Sequence, residues 1–178
     1  MNAVPAAGSL VRAMTEADWA DVRRIYALGI ATRNATFETD VPPVEALDGK
    51  WIPGQRWVIV LDGAVAGWAA MTPVSPRACY RGVAETLIYL DTAHAGRGLG
   101  TTLLRHQVDA ALEAGFWTLQ TSIFPENEAS LAIHHKAGFR DVGRRERIAQ
   151  LDGVWRDTIL LELRAGATAR SDQVAGSR

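Results

Sequence analysis

The chain has one cysteine, Cys79, which excludes an internal disulfide and fits a reducing compartment. Lysine is nearly absent: Lys50 and Lys136 are the two among 19 basic residues, and the arginine preference has a bland reading in genome composition. A net charge of −1 lacks the basic excess of a dedicated nucleic-acid binder, so no nucleic-acid partner is expected. No apolar run approaches the roughly 20 residues of a membrane helix. The opening MNAVPAAGSLVRAM has neither a basic leader nor an apolar h-region. Neither membrane attachment nor secretion is therefore expected, and a soluble, cytoplasmic protein is. The composition, 48% hydrophobic and 22% charged, is ordinary for a globular chain, and 178 residues suit one domain.

Periodicity supplies the elements. A short strand is read over 10–13. Thr15 offers an N-cap with Glu16 and Asp18 in the first turn, and Val22, Ile25, Tyr26, Gly29 and Ile30 recur at helical spacing over 16–31. A short helix near 44–51 sits between Pro42-Pro43 and Pro53-Gly54. Strands over 57–61 and 65–71 flank Asp62-Gly63, a type I′ turn pair, and another strand covers 84–90. Leu99, Leu103, Leu104, Val108, Ala111 and Leu112 form one face of a helix stopped at Gly115. A strand over 118–123, a helix over 128–137 and two strands, 140–150 and 154–163, complete the order around a second turn pair, Asp152-Gly153. The succession β-α-α-β-β-β-α-β-α-β-β predicts a single α/β domain over 10–164 built on a mixed sheet. Residues 1–9 read as an extension and 165–178, without large apolar side chains, as a mobile tail.

The stretch AETLIYLDTAHAGRGLGTTLL, 84–104, poses the functional question. It carries a carboxylate, Glu85, beside a core strand, and then three glycines, Gly96, Gly98 and Gly100, where strand gives way to helix. Strand, glycine turn and helix can cradle a phosphate, because glycine admits the anion to the backbone and the helix N-terminus offers unpaired N–H groups. Arg97 adds a charge. Glycine turns also merely cap helices, so the turn alone decides nothing. It is neither a Walker A loop, lacking Gly-Lys-Ser/Thr, nor a G-x-G-x-x-G dinucleotide fingerprint.

With Asn127 and the later SLAIHHKAGF, this G-x-G turn after a strand resembles the GNAT superfamily of acyl-CoA-dependent N-acyltransferases. The resemblance spans about 10–163. It implies a mostly antiparallel central sheet flanked by helices, with the glycine turn on the pyrophosphate of coenzyme A. One departure is Ala95, where the family commonly has Gln or Arg; a backbone-mediated cradle survives that change, with Arg97 nearby. NATFET (34–39), YRGVAETLIYL (80–90), PENEASLAIHHKAGF (125–139) and GVWRD (153–157) look like the phosphinothricin and methionine sulfoximine acetyltransferase subfamily, although the segment between Asp40 and Trp57 looks short for it.

The resemblance assigns roles residue by residue. Ile88, Tyr89 and Leu90 would run beside pantetheine, and Gly96, Arg97, Gly98, Leu99, Gly100, Thr101 and Asn127 would hold the rest of acetyl-CoA. Asn127 has a plainer reading as a helix cap. Glu85, by itself a solvent-facing glutamate near a strand start, becomes the base that deprotonates the incoming amine. His134 becomes a second proton carrier, acid or base, or stays a structural histidine; His135 faces away. Arg81 and Tyr80 would meet a substrate carboxylate or phosphinate, with Arg81 otherwise in a surface ion pair, and Phe37 and Glu38 would line the far side. The His pair lacks ligand spacing, so no metal is expected. Trp155 and Asp157 read as structural, near a subunit contact. The subfamily implies a homodimer, and acetyl transfer to a small amino-acid-like amine by direct attack in a ternary complex. The alternatives are acetylation of protein N-termini or polyamines, or a coenzyme-A-binding regulatory module without catalysis.

Overall fold

A computed structural model describes residues 8–166 of the chain. The expected extension and tail lie outside the described residues except for 8–9 and 165–166, and Ser9 already belongs to the first strand. The elements are β1 (Ser9–Ala13), α1 (Trp19–Ala31), α2 (Val44–Lys50), β2 (Arg56–Leu61), β3 (Ala64–Pro73), β4 (Val83–Leu90), α3 (Leu99–Glu113), β5 (Thr118–Ile123), α4 (Glu128–Lys136), β6 (Arg140–Leu151) and β7 (Val154–Arg164). They form one seven-stranded sheet in the order β1-β2-β3-β4-β5-β7-β6, antiparallel throughout except for β4 with β5. Among the described residues no helix is long and apolar enough to cross a membrane.

Both Asp-Gly pairs turn as their chemistry requires. Asp62 and Gly63 have φ of 51° and 85°, and Asp152 and Gly153 have 50° and 79°, the double positive φ of a type I′ turn. The first helix is entered differently from a simple N-cap. Residues 16–18 form a 3-10 turn, closed by a reciprocal Thr15–Asp18 capping box, and the α-helix begins at Trp19. Asp18 accepts two hydrogen bonds from Arg12, at 2.7 and 2.8 Å, so β1 and the helix entry are tied together. That guanidinium, with Thr15, holds the Asp18 carboxyl down at about 2.

One face of the sheet carries α1 and α2 over an aromatic stack. Trp19 stacks on Trp51 at 5.3 Å, Trp51 meets Trp68 at 4.9 Å, and Trp68 stacks on Tyr89 at 4.7 Å. Offset contacts of this kind add about 0.5–1.5 kcal/mol each beyond burial. Gly29 lets α1 approach, because a Cβ there would lie 2.6 Å from the Tyr89 ring. The other face buries α3 through Leu99, Leu103, Leu104, Val108 and Ala111, with α4 beside it. Gln107 interrupts that apolar stripe, and its amide donates to the Ala70 carbonyl of β3 at 2.7 Å.

Candidate active site

The site begins with a mismatch in strand pairing. β4 pairs with β3 along 84–90 but with β5 only along 83–85. From Thr86 onward the two strands diverge, and the β5-facing edge of 86–90 has no strand neighbour. A cleft of about 550 Å³ opens in that gap, between this edge, the end of α1, the glycine turn and the first turns of α4.

Gly96 and Gly98 each have φ of +77°, which side chains rarely tolerate, and a Cβ on either would meet nothing within 4 Å. The turn is therefore open above both residues. Gly98 is the N-cap of α3 in the left-handed conformation, and the first turn of α3, 99–101, lines the cleft with Arg97. An α-helix leaves the N–H groups of that turn without internal partners and places a partial positive charge there. Open space, unpartnered donors and a guanidinium fit a pyrophosphate. Asp91 fixes the approach to the turn: it accepts from the Ala93 N–H at 3.0 Å and from Arg24 of α1 at 2.6 Å. Both contacts keep its carboxyl below the usual range. An Asp at a strand exit two residues before its donor is a recognisable Asx turn, a signal available in the sequence and not used there.

Glu85 occupies the vertex where β4 and β5 part. Its side chain borders three openings: a narrow passage of about 70 Å³ that shares residues with the large cleft, and two wider ones of about 450 and 250 Å³ on the α1–α2 face. Burial raises its pKa above the ordinary carboxylate value, against the pull of Arg145, Lys50 and the Gln120 side chain. A carboxylate so placed is a stronger base than one in water.

His134 lines the narrow passage with Glu85 and is 1% exposed. Its Nδ1 lies 2.8 Å from the Ser130 carbonyl, which can only accept, so Nδ1 carries the hydrogen and the neutral ring presents a lone pair at Nε2. That Nε2 has no partner within the protein, nor have Asn34 Oδ1 in the large cleft and Thr158 Oγ1 in the 250 Å³ opening. Buried unsatisfied atoms cost about 1–3 kcal/mol each, and these three line openings where a ligand could supply partners; others, such as Gln55 Oε1 and Trp68 Nε1, lie away from the site. Burial, first, and His135 lower the His134 pKa to about 4. The unfolded chain takes up this proton near 6.5 and the folded ring resists it. The stability held by the neutral ring is thus complete above pH 6.5 and is lost as pH falls toward 4. At about 1.4 kcal/mol per pH unit the loss reaches roughly 3 kcal/mol. We expect the fall in Tm between pH 6.5 and 4 to be clearly smaller in His134→Gln than in the unsubstituted protein; parallel curves would contradict the assignment.

The structure brings Ile88, Tyr89, Leu90, the residues 96–101 and Asn127 together around the large cleft. Asn127 is also a cap: its side chain accepts from the Ser130 N–H at 3.2 Å and donates to the Asn34 carbonyl at 2.9 Å, fixing the segment after α1 to α4. Phe37 and Glu38 line the 250 Å³ opening with Glu85, and Phe37 packs edge-on against Phe124 at 4.8 Å. Arg81 and Tyr80 lie apart from these openings. Arg81 sits over the Trp117 ring at 5.4 Å and Tyr80 under Arg77 at 5.7 Å. A Cβ on Gly82 would lie 2.1 Å from Trp117, so the chain passes close under that ring. His135 is exposed and bonded to Asp141 at 2.8 Å. Asp157 accepts from Arg144 and from the Arg147 N–H, both at 2.7 Å, bracing the bulge in β6. Periodicity did not single out Lys50, Thr72 and Gln120, which share the 450 Å³ opening with Glu85, or Ser122 and Phe124. Among the described residues no cluster of three His, Cys, Asp or Glu could hold a metal.

An open glycine turn at a helix N-terminus, joined through a narrow passage to a half-buried carboxylate, fits an acyl-CoA-dependent transferase. A profile of the Acetyltransferase (GNAT) family matches residues 19–139, and the chain belongs to that family. It is an acetyl-CoA-dependent N-acetyltransferase. It is 32% identical over 168 residues to phosphinothricin N-acetyltransferase of Alcaligenes faecalis, covering 89% of this chain and 84% of that one. It is 29% identical over 111 residues to L-methionine sulfoximine/L-methionine sulfone acetyltransferase of Salmonella typhimurium, covering 62% and 65%. The crystal structure of a phosphinothricin acetyltransferase from Sinorhizobium meliloti in complex with acetyl-CoA superposes with a TM-score of 0.82 at 28% identity, covering 91% of each chain.

Proposed function

We propose that the chain acetylates the α-amino group of a small amino-acid-like substrate of the phosphinothricin, methionine sulfoximine or methionine sulfone type, by direct attack in a ternary complex. The observation that carries this reading is the position of Glu85, the one carboxylate shared by the passage to the acetyl-CoA cleft and by both outer openings. The relatives named above support the substrate class.

The amine arrives as an ammonium ion and is unreactive until one proton leaves. Glu85, directly or through water, takes that proton. The freed nitrogen lone pair then attacks the thioester carbonyl, the carbon–sulfur bond breaks, and the electrons leave with sulfur. The nitrogen's second proton neutralises the thiolate, so the balance is amide, free thiol and one proton released from Glu85 to solvent. Backbone N–H groups along 88–90 would polarise the carbonyl oxygen. The low pKa of His134 supports the accepting member of its two roles, an Nε2 lone pair that holds a proton-bearing group in line.

The protein is proposed to work as a homodimer in the cytoplasm. Val142, Ile148, Val154 and Trp155 expose apolar surface on the β6–β7 hairpin, and a second copy would cover it. Light scattering at micromolar concentration should return twice the monomer mass of 19.3 kDa, and a monomer would refute the arrangement. Thiol release from acetyl-CoA should be selective for the three amino-acid analogues over a polyamine and a short peptide. Turnover confined to the polyamine or peptide would overturn the substrate class. Acetyl-CoA binding without turnover would favour a regulatory module.

A further inference from the structure

An α-amino acid is a zwitterion, so its site must oppose an anion and a cation across one small space. The 450 Å³ opening meets that requirement. Glu85 lies on one wall and Lys50 on another, with the polar Thr72 and Gln120 and the apolar Pro73 and Leu87 between them. Lys50 is in the last turn of α2; among the described residues its ammonium makes no hydrogen bond and no ion pair within 4 Å, and its charge acts on Glu85. The other cation that acts on Glu85, Arg145, is engaged with the Ser122 hydroxyl, and Arg81 stands apart over the Trp117 ring. A polyamine would instead need two anions and no cation.

Resting on the substrate class proposed above, we propose that Lys50 is the residue that recognises the substrate carboxylate, holding the α-amino group at Glu85 and turning the side chain toward Phe37 and Phe124. The three groups on the α-carbon then take three directions: amine to the vertex, carboxylate to α2, and side chain into the 250 Å³ opening. Its assignment moves carboxylate binding from Arg81, which stands against Trp117, to the end of α2.

The test compares L-methionine sulfone with its carboxamide, in which the carboxylate charge is gone and the amine remains. Removing Lys50 also relieves a charge that acts on Glu85, but that change alters both substrates alike. The ratio of kcat/KM for acid over amide isolates the carboxylate contact. Lys50→Met is expected to lower this ratio about 10- to 100-fold, chiefly through KM of the acid, as for loss of a charge-assisted hydrogen bond. Lys50→Arg should recover it to within about 3-fold of the unsubstituted protein, a fraction of 1.4 kcal/mol. A ratio unchanged in Lys50→Met overturns the proposal, and a ratio that falls in Arg81→Met instead assigns the contact to Arg81. If the unsubstituted protein turns over neither compound, the substrate class itself fails, and the role of Lys50 with it.

Discussion

Glu85→Gln is expected to lower kcat by about two to four orders of magnitude, the usual worth of a positioned general base. Glutamine keeps the volume and the hydrogen-bonding reach of the side chain but cannot take the ammonium proton. The pH profile should change with it. A base acts when deprotonated, and burial raises the Glu85 pKa, so the acid limb of log(kcat/KM) should fall with unit slope at a pH above the carboxylate reference of about 4.3. In Glu85→Gln that limb should vanish, and the residual rate should follow the free-amine fraction of the substrate. Stability should move the other way. A raised folded-state pKa means that the native protein binds its proton more tightly than the unfolded chain. Stability is then lost as pH rises from the unfolded pKa through the folded one. At pH 7 the half-buried charge opposes folding, so Glu85→Gln should leave Tm unchanged or higher. An inactive variant with a lowered Tm would indicate a structural role, and one with kcat within about 3-fold of normal would exclude Glu85 as the base.

Gly98→Val is expected to raise KM for acetyl-CoA by about 10- to 100-fold with little effect on kcat, because the perturbation lies far from the reacting carbonyl. Two effects combine. A β-branched residue at φ of +77° costs about 1–3 kcal/mol of backbone strain. Its side chain would also stand in the open space above the turn, where no protein atom lies within 4 Å but a pyrophosphate would. Gly54 separates the two contributions. It has nearly the same φ, +76°, equally open surroundings, and a place outside the cleft. Gly54→Val should therefore match Gly98→Val in lost Tm while leaving KM for acetyl-CoA unchanged. If both variants raise KM equally, the glycine turn is a scaffold and not a cradle.

Local signals made the frame legible. Asp-Gly pairs, helix caps, the apolar stripe of α3 and the glycines after β4 act over a few residues, so spacing alone reports them. Glu85 and the glycine turn belong to this group, since both stand in one continuous stretch. The remainder depended on contacts across long separations. The parting of β4 from β5 follows from where pairing stops, at Glu85 and Gln120, and no periodicity records a register. Arg24 reaches Asp91 across 67 residues, and Asn127 reaches Asn34 across 93. Lys50 was counted as one of two lysines, but only folding carries the end of α2 to the space beside Glu85. Arg81, adjacent in sequence to the working strand, was drawn to the Trp117 ring by the close pass of Gly82, a contact 35 or 36 positions away that spacing does not encode.

The short pairing of β4 with β5 sets Glu85 at the apex of a wedge. The sheet has two leaves, β1–β4 and β5–β7, joined along this seam at residues 83–85. The far end of the gap, at Leu90, stands five residues from that apex, roughly 16 Å along a strand. Side chains cross that gap: Asn127, the cap of α4, donates to the Asn34 carbonyl, and Arg156 of β7 donates to the Arg33 carbonyl. The two leaves are thus held at the apex by strand pairing and across the gap by side chains, and the width of the cleft is set by both.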